Sequence, residues 1–238
     1  MEGYTQISYS ELFKTVFDQQ TQSVSYGLLI LAVFGLALIT HSICLYLDKT
    51  NKRKVKAFDE LIIIAILAYV CVLLSITFFN REEGSRGTIN IDTTVTRTLI
   101  TSFIDFFTKP SKLTLTKQLL INLTNATALT SSVYYVLNIL LFIPWGFILS
   151  IAHYKEGLFK AFIMPSIYSV ITSGCIEITQ LITGRGYFEI EDLITNIIGG
   201  ILGALLAVII QLIVKLIKNT RNKNARNKNG GEYGFEEE

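Results

Sequence analysis

Apolar residues fall in five long blocks, and the polar stretches between them are mostly short. The blocks run from about Val24 to Leu47, Leu61 to Phe79, Val133 to Ala152, Leu158 to Ile182 and Leu193 to Ile217. A helix needs about 18 to 20 predominantly apolar residues to cross a hydrocarbon core some 30 Å thick. Each block meets that length, so the pattern predicts an all-α, polytopic membrane helix bundle of about five transmembrane helices. The chain then divides into an N-terminal segment (1–23), a first helix pair (24–79), a long intervening segment (80–132), a three-helix core (133–217) and a polar tail (218–238). The tail is rich in Lys, Arg and Asn, ends in acidic residues and is expected to be disordered.

Residues 80–132 break the simple alternation. Within them Leu99, Phe103, Phe106 and Phe107 recur near helical spacing with polar residues between. That pattern predicts a helix lying in the membrane interface, or one capping the ends of the bundle. Asn122 and Asn125 each begin an Asn-x-Thr acceptor pattern, which matters only in a secretory pathway.

Composition agrees with a lipid environment. Hydrophobic residues make up 50% of the 238 and charged residues 17%, against about a quarter in soluble domains. The net charge of +2 is small, and its basic part is clustered at the ends of the blocks. Lys49, Lys52, Arg53, Lys54 and Lys56 follow the first block, Lys155 and Lys160 the third, and a basic run follows the fifth. Cytoplasmic flanks of membrane spans are enriched in Lys and Arg, so nucleic acid is not expected as a partner. With five spans these three segments share one side. The positive-inside rule then puts the N-terminus outside and the C-terminus in the cytoplasm of a cell-membrane protein. The basic stretch follows the first block instead of preceding it, so that block is read as a permanent anchor and not a cleaved leader. Cys44, Cys71 and Cys175 each sit alone in an apolar block. His41 and His153 are the only histidines, and no Gly-rich phosphate loop or Ser-His-Asp arrangement accompanies them. Neither a metal nor a cofactor is expected.

Polar residues inside spans are costly and usually face the bundle interior, a partner or a cavity. The fourth block carries Ser166, Ser169, Ser173, Glu177 and Gln180 at three- and four-residue steps, one face of a helix. Glu177 precedes the end of that block by about 9 Å of helix at 1.5 Å per residue. The third block holds Asn138 near its outer end, and the fifth opens with Asp192 and has Asn196 one turn further on. Between the fourth and fifth blocks lie Arg185, Glu189 and Glu191. With five spans, Asn138, Glu177, Gln180, Arg185, Glu189, Asp192 and Asn196 come out at similar depth, as a ligand-binding layer near the extracytoplasmic face. Within it Glu177, Arg185 and Asp192 are the candidates for any catalytic role. Glu177 can serve as proton acceptor, as anchor for a cationic group, or as partner of Arg185, whose guanidinium suits a phosphate. The alternative is an ion-pair and amide network that sets helix register. Gly199, Gly200, Gly203, Ala204 and Ala207 in the fifth block predict close helix contact instead of binding.

Taken together, Asn138 followed by Phe142, Pro144 and Gly146, then Glu177 with Gln180, then Arg185, Asp192, Asn196 and the Gly199–Gly203 run, resemble the VanZ-like family over Val133 to Ala207. Two positions depart from its pattern. Asn90-Ile-Asp92 stands where the family has an Asn-Leu-Ile-Pro-Phe element, and Glu189 stands where an Asp usually follows the arginine. The family is named for a protein linked to resistance against glycopeptide antibiotics such as teicoplanin. The resemblance therefore implies a cell-envelope protein that engages membrane lipid and a lipid-linked wall precursor or lipoglycopeptide at the outer leaflet. It leaves two alternatives open: a membrane enzyme acting on a polyprenyl-phosphate-linked substrate, and a structural partner of another membrane protein. Whether a reaction is catalysed, and the oligomeric state, are not legible in the residues.

Overall fold

Long runs of Leu, Ile, Val, Phe and Ala have nothing to break helical hydrogen bonding, and the backbone in lipid must satisfy itself internally. The computed structural model, which describes residues 8–22, 24–50, 56–79, 89–108 and 126–230, is correspondingly helical. Its helices are α1 (Tyr9–Thr21), α2 (Tyr26–Lys49), α3 (Ala57–Leu74), α4 (Thr94–Thr108), α5 (Ala126–Ala152), α6 (Leu158–Thr183) and α7 (Ile190–Gly230). Among the described residues five helical stretches are long and apolar enough to span a membrane: Tyr26–Lys49, Ala57–Phe78, Ala128–Ala152, Leu158–Thr183 and Ile190–Asn224. The chain is a multi-pass membrane protein.

The centre is α5, which packs along α7 and also touches α1, α3, α4 and α6. Glycines make this closeness possible. A Cβ on Gly146 of α5 would overlap the Gly200 carbonyl, and one on Gly199 or Gly203 of α7 would overlap the carbonyl of Ile139 or Ile143. On its other side Gly200 meets the Ser169 side chain of α6. The expected packing role of this glycine run is thus the one it performs. Beside these contacts Leu73, Phe142, Trp145 and Leu149 form a buried cluster. Pro144 sits within α5 and deprives the Leu140 carbonyl of its helical donor. The hydroxyl of Tyr69 on α3 donates to the neighbouring Leu141 carbonyl at 2.5 Å. By contrast α2, whose main neighbour is α3, exposes Leu28, Leu31, Phe34 and Leu38. In a bilayer those side chains meet lipid at no hydrophobic cost.

The bundle has two distinguishable ends. At one, Lys155 of the α5–α6 turn donates to both carboxylate oxygens of Asp59 (2.6 and 2.5 Å), and His41 meets Glu60 at 2.7 Å. These contacts bring the end of α2, the start of α3 and the α5–α6 turn together. At the other end α1 and α4 lie against the bundle. The α1 helix opens with a reciprocal cap, Ser8 accepting from the Glu11 amide and Glu11 from the Ser8 amide. It sets Val16 on Val133 and Leu137 of α5, while its Tyr9 hydroxyl pairs with Ser132 at 3.2 Å. The Asp92 side chain caps α4, accepting from the Thr94 amide (3.0 Å) and hydroxyl (2.6 Å). Those bonds, the hydroxyl first, hold the Asp92 carboxyl below the usual carboxylate range. Along α4, Thr96 and Ser102 are buried while Ile100, Ile104 and Phe107 point outward. The helix thus rests on α5 and α7 and keeps an apolar face open. The side chains of Phe103 and Phe106, half of the expected pattern, lie outside the described residues, as do Asn122 and Asn125.

The structure departs from the sequence reading in several places. Helix α5 begins at Ala126, ahead of the apolar block, because its first turns are held by α1 and α4. A two-residue parallel pair joins Ile89–Asn90 (β1) to Phe188–Glu189 (β2), and two residues are too few to show a period. The residues after Ile217, expected to be disordered, continue α7 as helix to Gly230. Once a helix is nucleated, each added residue costs little, and the Lys, Arg and Ala in this run are good helix formers. Residues 231–238 of the tail lie outside the described residues.

Candidate functional site

Each side chain of the layer is placed by one local device. Helix α6 ends at Gly184, whose left-handed conformation (φ 64°) turns the chain so that the Arg185 amide reaches back to the Gln180 carbonyl at 3.1 Å. The turn then runs through β2 into α7, whose first turn carries Glu191 and Asp192. Carboxylates there are favoured by the exposed amides of a helix N-terminus. The β1–β2 pair brings Asn90, the departure from the family pattern, level with Glu189. The Asn90 side chain accepts from the Asp92 amide at 3.0 Å and so rigidifies its own turn.

Contacts across helices then gather the layer. Asn138 of α5 donates to Asp192 of α7 at 2.9 Å, and Asn196 of α7 donates to Ser173 of α6 at 3.1 Å. Glu177 of α6 accepts from the backbone amide of Glu189 at 3.1 Å, which ties the helix to the loop above it. Glu177 and Gln180 are each 1% exposed, and Asp192 and Asn196 are buried as well. Asn138, Arg185 and Glu189 are partly exposed. The seven residues singled out from the sequence thus share one end of the bundle. Measured interhelical hydrogen bonds in membranes are worth about 0.6 kcal/mol on average. Three or four of them set geometry more than they set stability.

Side chains that the sequence reading left out of the layer complete the site. The last turn of α3 opens into a π-helical turn, Ser75–Phe79, a feature often found at functional sites. Near this helix end, where carbonyls lack an intrahelical donor, the Thr77 carbonyl accepts from Gln180 at 2.8 Å, and the Phe78 ring lies under the Arg185 guanidinium, 4.7 Å from its centroid. Such a cation–π contact contributes about 0.5–2 kcal/mol. Glu191 is 3% exposed, lies beside Tyr135, and accepts the Thr96 amide of α4 at 2.8 Å. Its signal in the sequence was its place in the acidic run. Thr77 and Phe78 carried none, because nothing in an apolar block reveals which turn is a π turn. The Asn196 carbonyl oxygen is buried and has no hydrogen-bond partner among the described residues. It leaves an acceptor inside the layer.

Apolar spans with a buried, hydrogen-bonded polar layer at one end define a class of multi-pass helical membrane protein. The chain belongs to the VanZ/LLP1 family, whose sequence model matches residues 66–211, more than half of its length. The match begins in α3, well before the Val133 limit of the resemblance, and so takes in the π turn that meets Gln180 and Arg185. No curated protein and no solved structure matches the chain.

Proposed function

We propose that the polar layer is a ligand site at the outer leaflet. Through it this VanZ/LLP1-family protein engages a lipid-linked wall precursor or a lipidated glycopeptide and contributes to teicoplanin-type resistance. The observation that carries the reading is the buried group of Glu177, Gln180, Asp192 and Asn196, joined by the partly exposed Asn138, at one end of lipid-exposed helices, with the Asn196 oxygen open to a donor. An ionisable group inside a span is by default a candidate for a functional site. A layer level with the membrane surface meets the head of an amphiphile whose tail stays in lipid. The outward orientation is supported by the basic flanks, since the end holding Lys155 and the start of α3 is the one opposite the layer.

The structural alternative draws on the same contacts, because Gln180, Asn138 and Glu177 all have partners within the protein. Glu177→Gln separates the two. Glutamine keeps an oxygen for the Glu189 amide and removes the charge. The ligand-site reading expects wild-type protein levels, loss of teicoplanin protection in a susceptibility assay, and weakened retention of labelled teicoplanin or precursor by the purified protein. Unchanged susceptibility and unchanged binding would overturn the ligand reading and leave the network a structural one. Conversion of a lipid-linked precursor by the purified wild type would replace binding with catalysis.

A further inference from the structure

A cavity lies at the basic end of the bundle, away from the polar layer. It measures about 820 Å³ and opens between α2, α3 and the α5–α6 turn. That size falls within the range of small-molecule sites, roughly 300–1,000 Å³. It exists because α2 leans on α3 alone among its main neighbours and leaves a wedge behind it. The wall within the membrane is aliphatic, with Ile43 and Leu47 from α2 facing Ile62 and Ile66 from α3. The rim is charged, with Lys56, Asp59, Lys155 and Glu156.

The four rim charges balance in number, and they are not all held alike. Asp59 is taken by Lys155, and Glu156 by His153 (2.9 Å) and Lys160 (3.4 Å). Lys56 remains exposed at the mouth. The sequence that leads to it, from Lys49 to Lys56, carries five basic residues and no acidic one. An apolar slot with an exposed lysine at its mouth fits an amphiphile with an anionic head. Basic pockets between spans are where such lipids settle.

We propose that this cavity is a binding site for an anionic phospholipid, with an acyl chain along Ile43, Ile62 and Ile66 and its phosphate at Lys56. The site belongs to the leaflet at the basic end and is independent of any ligand in the polar layer. A bound lipid would fill the wedge and fasten α2 to the rest of the bundle.

Cys44 lines the cavity and is buried, so it can report occupancy. With Cys71→Ala and Cys175→Ala it becomes the chain's sole thiol, since there are three cysteines in all. The full chain is placed in phosphatidylcholine vesicles with or without phosphatidylglycerol, and alkylation by a neutral, membrane-permeant maleimide is timed. The empty fraction scales as 1/(1+[L]/Kd), so lipid at ten times Kd slows Cys44 about tenfold. Lys56→Gln is expected to abolish most of that protection. A chain whose sole thiol is Cys175, on the exposed side of α6, should show no slowing. Inorganic phosphate alone should not protect, because the apolar wall is half of the site. Equal Cys44 rates in the two vesicles, or protection that survives Lys56→Gln in full, would overturn the proposal. So would protection by free phosphate, which would make the site one for small anions.

Discussion

At the scale of single residues, the bond between Asn138 and Asp192 is the clearest test of the layer. Asn138 donates at 2.9 Å to a carboxylate that is 9% exposed. Removing one partner takes a hydrogen bond from the other in a region with little water, at a cost of about 1–3 kcal/mol. Removing both costs less than the sum. Asn138→Leu and Asp192→Leu are each expected to lower unfolding stability, with a coupling energy of about 0.5–3 kcal/mol in the double variant. Thermal or denaturant unfolding in detergent measures the cycle, and strict additivity would show that the bond contributes nothing. The residue types of the layer were legible in the sequence because ionisable groups in apolar blocks stand out. Their partners were not, since hydrogen bonds to the Glu189 amide and the Thr77 carbonyl leave no mark on residue type.

At the scale of helices, the small-residue face of α7 is the most exacting contact in the fold. Gly203 stands where any Cβ overlaps the Ile143 carbonyl, whereas Gly35 on α2 has open space around it. Gly203→Leu is therefore expected to destabilise the bundle by about 3 kcal/mol or more, above the usual overpacking range because backbone cannot yield. Gly35→Leu should leave the unfolding midpoint nearly unchanged. Equal shifts for the two would mean that α7 does not approach α5 as described. Helix α1 was missed by the sequence reading although Ser8 and Glu11 form a capping pair and Leu12, Phe13 and Val16 follow at helical spacing. Its single turn of signal was lost beside the much stronger periodicity of the spans. The continuation of α7 past Ile217 was missed for a different reason. Composition argued for a solvated tail, and a helix already formed carries solvated residues readily.

At the scale of the whole molecule, labelling tests the orientation of the chain. Single cysteines at Lys54 and Arg185, probed with an impermeant maleimide on intact and broken cells, should react from the inside and the outside respectively. The reverse pattern would move the polar layer to the cytoplasmic leaflet and remove the basis for an extracellular ligand. The number of spans, their approximate limits and the polar character of one end were determined by the sequence alone, because hydropathy over about 20 residues is a local sum that no neighbour can change. Tertiary structure alone decided that Gln180 would find the Thr77 carbonyl, that Glu191 would take the Thr96 amide, and that α2 would lean away to leave a cavity at the opposite end. These depend on how close two helices come and at what angle. That closeness is set by glycine against carbonyl at a few contacts far apart in the chain.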